Sequence, residues 1–203
     1  MTTAVLSLGS NMGDSSGYLR DAVRGLGAAL RHVSSVYRTP PWGPVEQDDF
    51  LNIAVVVADP LCDAPGWLAR CHELERAANR ERLVHWGPRT LDADVVAVWQ
   101  QPATERRGGE TVEYDAVLGS DTSPVVSTDP VLTLPHPRSF ERGFVLVPWA
   151  EIQPAADLPG HGAIATLIAA LDVSDIVRVG ALDGAAGSAR EGVAEGLSDS
   201  EQR

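Results

Sequence analysis

Residues 4–30, which read AVLSLGSNMGDSSGYLRDAVRGLGAAL, set the type of fold because they join two different periodicities. Residues 4–8 form a short apolar run that Gly9, Ser10 and Asn11 close, which is typical of a strand entering a turn. From Asp14 to Leu30 apolar side chains recur every three or four residues, which predicts a helix with one buried face. The chain therefore opens with a strand followed by a helix.

The remaining apolar segments continue this alternation. Further strands are predicted at 33–38, 50–58 and 90–99, and further helices at 64–78 and 161–171. The unbroken apolar run of the 50–58 segment indicates a central strand that is covered on both sides. Residues 144–152 are strongly apolar and are assigned to neither class. This order predicts an α+β sandwich with helices packed on one face of a mostly antiparallel sheet.

The chain of 203 residues is long enough for one domain with a good core. We place that domain at residues 1–178, with an exposed excursion at about 102–128 where Gly, Ser, Thr and acidic residues mix. Residues 179–203 are rich in Ala, Gly, Ser and Glu and contain no aromatic residue, which predicts a disordered acidic tail.

Charge and composition exclude several classes of function. The net charge of −12 argues against a nucleic-acid-binding surface. No run of 18 apolar residues and no basic N-terminal leader is present, so neither a membrane span nor a signal peptide is expected. The two cysteines show no pairing pattern, which indicates a reduced, cytoplasmic protein; we expect a monomer. All 16 basic residues are arginine, so a lysine-dependent P-loop is excluded.

Residues 85–96, HWGPRTLDADVV, place two carboxylates where a metal ion could bind. On a strand, Asp92 and Asp94 project from one face while Leu91, Ala93 and Val95 point into the core. Paired carboxylates suit Mg²⁺, which also takes phosphate and water oxygens. The same pattern would also fit a solvated strand face, and this alternative stays open on the acids alone.

Four arginines precede the acidic pair and point to phosphate chemistry. They lie within fourteen residues: Arg76, Arg80, Arg82 and Arg89. Arginine side chains together with a two-carboxylate metal site provide the charge neutralisation that phosphoryl transfer needs. A solvated helix end, a nuclease or a nucleotidyltransferase would show similar residues.

A second group of residues could hold a flat heterocycle. The proline-rich segment 37–44 is a stiff turn, and Phe50 and Asn52 then share one strand face. A ring that stacks beside an amide that reads an edge would suit such a ligand. The other interpretation is a core phenylalanine and a turn-capping asparagine. His136, Arg142 and Phe144 follow later, although a lone histidine in a loop is more often structural.

Five segments together resemble the 6-hydroxymethyl-7,8-dihydropterin pyrophosphokinase family of folate biosynthesis. They are LSLGSNMGD (6–14), YRTPPWGP (37–44), FLN (50–52), the 75–96 run that ends in WGPRTLDADVV, and LTLPHPRSFERGF (132–144). The resemblance implies a ferredoxin-like fold and the transfer of the β,γ-pyrophosphoryl group of ATP to the pterin hydroxymethyl group, with release of AMP. Two Mg²⁺ ions would bind Asp92 and Asp94.

The resemblance also assigns a role to each matching residue. The catalytic set is Arg80, Arg89, Asp92 and Asp94. The pterin set is Thr39, Pro40, Trp42, Phe50, Asn52 and Phe144. The nucleotide set is Glu75, Arg82, Trp86, Thr133, His136 and Arg142. The chain departs from the family pattern at His85, where arginine is common, and at Val131, where a basic residue is common.

Two further functions remain as alternatives to a pyrophosphokinase. Another phosphotransfer enzyme would share the arginines and the acids but not the pterin residues. A non-catalytic ferredoxin-like binding module would gain nothing from two unneutralised carboxylates.

Overall fold

The computed structural model describes residues 1–41, 46–80, 87–101 and 122–182. The helices are α1 (Ser15–Leu26), α2 (Ala64–Ala77), α3 (Gly143–Ile152) and α4 (Ile164–Ala169). The main strands are β1 (Thr2–Ser10), β2 (Leu30–Val33), β3 (Val36–Thr39), β4 (Phe50–Asp59) and β5 (Asp92–Gln100). The short strands are β6 (Ser123–Pro124), β7 (Ser127–Thr128), β8 (Thr133–Leu134), β9 (Asp157–Leu158), β10 (Gly162–Ala163) and β11 (Val177–Gly180).

The sheet has the strand order β11-β3-β4-β1-β5-β6, and β2 also pairs with β4. All of its paired strands are antiparallel. If the short β2 between α1 and β3 is left aside, the central part follows the order β1-α1-β3-β4-α2-β5 along the chain, which is the βαββαβ pattern of the ferredoxin-like fold. The predicted α+β class is therefore confirmed, as is the central position of residues 50–58.

Helices cover both faces of this sheet, so the expectation of helices on one face is wrong. One core contains Leu19 and Leu26 of α1 and Trp67 of α2, and the opposite core contains Leu146 and Trp149 of α3. The long apolar strands explain the difference, because a strand with no polar alternation needs cover on both sides. Within the described ranges, no helix is long and apolar enough to cross a bilayer.

The predicted strand 33–38 is two short strands, β2 and β3, interrupted by two serines. The Ser34 hydroxyl accepts from the Ala54 amide at 3.0 Å and takes the place of a ladder bond. The Ser35 amide donates to the Glu151 carboxylate of α3 at 2.8 Å. Side-chain bonds of this kind compete with the strand ladder and allow the chain to break there.

The first helix is shorter than predicted. It ends at Leu26, and Gly27 adopts a positive φ of 53° that favours glycine. Leu30, which the periodicity placed in the helix, begins β2.

Two predicted boundaries also move. Residues 122–128 are mostly exposed, as predicted, but they are attached to the sheet, because β6 pairs with the end of β5 and the Val125 amide donates to the Val98 carbonyl at 2.8 Å. Strand β11 crosses the predicted boundary at residue 178, and Leu182 is buried in the core. The folded domain therefore reaches at least residue 182. Residues 102–121 and 183–203 lie outside the described part.

Candidate active site

The candidate site begins where one face of the central sheet changes from apolar to polar. Neighbouring strands β4, β1 and β5 form rows of side chains across this face. From the covered end to the open end, the rows are Val56–Val5–Ala97, Ala54–Ser7–Asp94 and Asn52–Gly9–Asp92. The first row and Ala54 pack under α3, whereas the other residues of the last two rows line a cavity of about 560 Å³.

A one-residue bulge in β5 marks this change. Val5 pairs with Ala97 and Leu6 pairs with Val95, so Val96 is the extra residue. Val96 and Ala97 both belong to the core under α3. Bulges of this kind re-aim side chains and are frequent next to active sites. Asp92 and Asp94 therefore lie on the same face as this core, beyond its edge.

The cavity brings together most of the residues that the sequence singled out. Those in its lining are Thr39, Pro40, Phe50, Asn52, Glu75, Arg80, Arg89, Asp92, Asp94, His136, Arg142 and Phe144. Thr133 is not in the lining, and its hydroxyl donates to the Asp129 carbonyl at 3.0 Å. Trp42, Arg82 and Trp86 lie outside the described residues, as does His85.

Arginine side chains neutralise both carboxylates. Arg80 Nη2 lies 2.8 Å from Asp92 Oδ1, and Arg89 Nη1 donates to Asp92 Oδ2. Arg142 Nη1 lies 3.3 Å from Asp94 Oδ2. Burial of the carboxyl group and repulsion by Asp92 nevertheless raise the pKa of Asp94 to about 6. The two acids are thus close enough to repel each other and are surrounded by cations.

The end of α2 delivers Arg80 to this cluster. Asn79 has a positive φ of 52°, its amide donates to the Arg76 carbonyl, and the Arg80 amide donates to the Glu75 carbonyl. These two bonds form a Schellman motif, which ends a helix and turns the chain. The Glu75 side chain is buried, binds the Ala93 amide at 3.1 Å and pairs with Arg80. Glu75 therefore connects the arginine to the strand that carries the acids.

The opposite side of the cavity carries the aromatic and amide groups. Asn52 is buried, and its Nδ2 donates to the Thr39 hydroxyl at 2.7 Å. Phe50 and Phe144 both line the cavity, and the Arg142 guanidinium lies 5.6 Å from the Phe144 ring centroid. A Cβ at position 9 would come within 2.5 Å of Asn52 Oδ1. Glycine at that position leaves room for the amide.

His136 is a neutral imidazole at neutral pH. Burial and the nearby Arg142 lower its pKa to about 4. Its Nδ1 accepts from the Arg138 amide at 3.2 Å, which assigns the single ring proton to Nε2. The Nε2 atom lies 3.5 Å from Arg142 Nη1. His136 can therefore donate a hydrogen bond to an anionic ligand.

Several lining residues were not predicted. They are Ser7, Gly9, Gln47, Leu68, His72, Gly87, Pro88 and Ala93. Ser7 and Gly9 follow Val5 on the same face of β1, so alternation would identify them once the strand register is known. Leu68 and His72 are four residues apart in α2, the spacing of one helix face.

The donor chemistry fits a magnesium ion in part. Asp92 and Asp94 supply two hard carboxylate oxygens, which is the number that Mg²⁺ commonly takes from a protein when substrate phosphates and water supply the rest. No group of three or more His, Cys, Asp or Glu side chains within the described residues could hold a metal alone. The described residues therefore do not form a metal site whose ligands all come from the protein.

Comparisons with known proteins agree on one family. Residues 5–154 match the model of the family described as 7,8-dihydro-6-hydroxymethylpterin-pyrophosphokinase (HPPK). The chain is 43% identical over 178 residues to a 2-amino-4-hydroxy-6-hydroxymethyldihydropteridine pyrophosphokinase of Mycobacterium tuberculosis, covering 86% of this chain and 87% of that protein. A protein of the same name from Methylorubrum extorquens is 40% identical over 183 residues, 88% of this chain and 99% of the relative.

Solved structures share the fold. A crystal structure of wild-type HPPK-DHPS from Plasmodium falciparum matches with a TM-score of 0.55 at 14% identity, over 83% of this chain. An HPPK-DHPS structure in complex with substrates matches with a TM-score of 0.54 at 11% identity. The matched region spans 44% and 43% of those two chains, less than half of each. At these identities the likeness concerns the fold alone.

Proposed function

The chain belongs to the 7,8-dihydro-6-hydroxymethylpterin-pyrophosphokinase family, and we propose that the 560 Å³ cavity on its central sheet is the site of the family's reaction. The protein is an ATP-dependent diphosphokinase of folate biosynthesis: it transfers pyrophosphate from ATP to 6-hydroxymethyl-7,8-dihydropterin. The hydroxymethyl oxygen attacks the β-phosphorus, the bond between the β-phosphorus and the oxygen of the α-phosphate breaks, and AMP leaves. ATP is therefore a co-substrate.

One observation supports the proposal that the reaction takes place in this cavity. A pair of carboxylates with three arginines lies at one side of the cavity, and an amide with two phenylalanine rings lies at the other. Pyrophosphoryl transfer to a pterin needs both groups in one space, because the acceptor hydroxyl must face the triphosphate. A nucleotidyltransferase would need the first group only, and a binding module would not need the paired acids.

The pterin is expected between Phe50 and Phe144, which would stack on its faces. Asn52 and the chain around Thr39, Pro40 and Trp42 would bind the polar edge of the ring. The Asn52 amide is held by Thr39, so its orientation is fixed before the ligand arrives. Fixed polar groups lower the ordering cost of binding.

The triphosphate is expected on the arginine side. Arg80 and Arg89 can turn from the carboxylates to phosphate oxygens, and their planar forks match phosphate geometry. Arg142 and the Nε2–H of His136 would bind the same chain of phosphates. Glu75, Arg82, Trp86 and Thr133 complete the proposed nucleotide residues, although the lining does not include Thr133.

Asp92 and Asp94 are the proposed ligands of two Mg²⁺ ions. When bound, these ions neutralise phosphate charge and hold the reacting oxygens in place. The protein contributes by holding both carboxylates on one strand face and by surrounding them with arginine side chains. We further propose a monomer that works in the cytoplasm.

The decisive experiment combines the protein with ATP, Mg²⁺ and 6-hydroxymethyl-7,8-dihydropterin and measures AMP by chromatography. AMP should form in step with the pterin diphosphate. A reaction without pterin controls for hydrolysis of ATP, and a reaction with EDTA tests the metal. AMP that forms equally without pterin would indicate a nucleotide hydrolase instead, and no AMP in any reaction would reject the assignment.

A further inference from the structure

The side chain of Asn11 joins two segments of chain that lie on different sides of the cavity. Its Oδ1 accepts from the Arg89 amide at 2.8 Å. Its Nδ2 donates to Gln47 Oε1 and to the Asp48 carbonyl, each at 3.0 Å. Asn11 is buried just beyond the end of β1, and its backbone amide also donates to the Arg89 carbonyl at 3.1 Å.

The first of these segments leads into the pterin side. Asp48 lies two residues before Phe50, where β4 begins, and Gln47 itself lines the cavity. The hydrogen bonds from Asn11 therefore fix the chain just before Phe50. Asn52 follows two residues later on the same strand.

The second segment leads into the phosphate side. Gly87, Pro88 and Arg89 line the cavity, and Asp92 follows three residues after Arg89. The Arg89 side chain pairs with Asp92. A bond to the Arg89 backbone therefore fixes the point from which this guanidinium extends.

We propose that Asn11 is a positioning residue that sets the separation between the pterin side and the triphosphate side of the site. This inference rests on the proposed function. Asn11 is not among the residues that line the cavity, so it acts through the two segments and not through a substrate. An asparagine amide offers an acceptor and two donors at once, and neither an aspartate nor a serine can replace all three bonds.

The expected effect follows from the geometry of in-line transfer. The acceptor oxygen and the β-phosphorus must meet within a narrow range of distance and angle, and a misplacement of about 1 Å can reduce a rate about 100-fold. Loss of Asn11 should therefore reduce turnover at saturating substrates. A residue that only stabilises the fold would reduce the melting temperature and leave turnover unchanged.

Two variants of Asn11 separate its two connections. Asn11→Ala removes all three side-chain bonds, whereas Asn11→Asp keeps an acceptor for the Arg89 amide and loses both donors. The matched control is Leu26→Ala, a change in the core on the opposite face of the sheet that should destabilise the fold without touching either segment. For each protein we would measure the melting temperature, kcat, and the Kd values for the pterin and for a non-hydrolysable ATP analogue.

Asn11→Ala should lower kcat at least about 10-fold and weaken the binding of both ligands. Asn11→Asp should weaken the binding of the pterin while leaving the Kd for the ATP analogue close to the wild-type value. Leu26→Ala should lower only the melting temperature.

The inference is overturned if Asn11→Ala behaves like Leu26→Ala. It is also overturned if Asn11→Asp raises the Kd for the ATP analogue as much as the Kd for the pterin. If Asn11→Ala does not fold, Asn11→Asp alone decides between these outcomes. Wild-type protein that makes no AMP would reject the proposed function itself, which is a separate result.

Discussion

The two ends of one sheet face differ in what covers them. At one end, Val5 and Val56 pack against Leu146 and Trp149 of α3 and are fully buried. At the other end, the same two strands present Gly9 and Asn52, and the neighbouring β5 presents the acidic pair, to an open cavity. A sheet long enough to extend past its covering helix thus provides a rigid floor for a site. The apolar end supplies stability, and the polar end supplies chemistry.

This division predicts that changes at the two ends have opposite consequences. At the polar end, activity should fall while the fold survives, since active-site groups are held at some expense of stability. At the apolar end, stability should fall while activity survives below the melting temperature.

The largest effect is expected from Asp94→Asn. The amide keeps the size of the side chain but binds Mg²⁺ much more weakly than a carboxylate. Loss of a group that only supports a metal ligand typically costs about 10- to 100-fold, so loss of a ligand should cost more than about 100-fold in kcat. The AMP assay measures this loss. Asp21→Asn on the exposed side of α1 is the control, and full activity in Asp94→Asn would reject the metal assignment.

Arg89→Ala should have the next largest effect. Its guanidinium pairs with Asp92 and lines the cavity, so it can stabilise charge on the transferring group. We expect a decrease of about 10- to 100-fold in kcat, with a smaller change in the KM for the pterin. Arg89→Lys should restore only part of the rate, because lysine keeps the charge but lacks the fork. The exposed Arg24→Ala serves as control, and an unchanged kcat would remove Arg89 from the mechanism.

The pH dependence of magnesium binding should reflect Asp94. Its pKa of about 6 in the ligand-free protein lies above the usual value, so protons compete with the cation at a higher pH than for an ordinary aspartate. The apparent affinity for Mg²⁺ should fall as the pH drops through 6, by about tenfold per pH unit well below the pKa.

Calorimetric titrations at several pH values between 5 and 8 would measure this dependence. An affinity that stays constant between pH 5 and 7 would contradict the raised pKa of Asp94.

Local patterns predicted the parts of the molecule that depend on neighbours in sequence. The alternation in LDADVV correctly placed Leu91, Ala93 and Val95 in the core and left the two acids on the other face. The same is true of the strand and helix that open the chain. These features follow from the period of a strand or a helix and need no tertiary information.

The features that were not predicted depend on residues far apart. Asn11 lies in the segment LSLGSNMGD (6–14), yet its partners Gln47 and Arg89 are 36 and 78 residues away. Ser7 and Gly9 could be assigned to the site only once the register of β1 with its neighbours was known. The arginine partners of the two acids likewise depend on how α2 ends and on where α3 begins.

The apolar segment 144–152 shows a limit of a different kind. It forms α3 even though Pro148 lies inside it and apolar side chains occur all around the helix. Pro148 has no amide hydrogen for the Phe144 carbonyl four residues earlier, which normally disfavours a helix. Short apolar runs do not distinguish a buried helix from a buried strand, and here packing on the sheet decides.

Leu146→Ala tests whether the two ends are independent and should have the smallest effect on turnover. Leu146 is fully buried between α3 and the sheet, so its truncation should cost about 2–5 kcal/mol of unfolding free energy. The change lies two residues beyond Phe144 and four beyond Arg142. The other contacts of α3 should keep the helix in place. We therefore expect kcat, measured well below the melting temperature, to stay within about twofold of the wild-type value.

Urea unfolding measures the free energy of unfolding, and the AMP assay on the same preparation measures kcat. A large loss of stability with constant kcat would separate the apolar end from the polar end. A parallel loss of kcat would mean that the packing of α3 also sets the positions of Arg142 and Phe144, so that the covered end of the face positions groups in the open one.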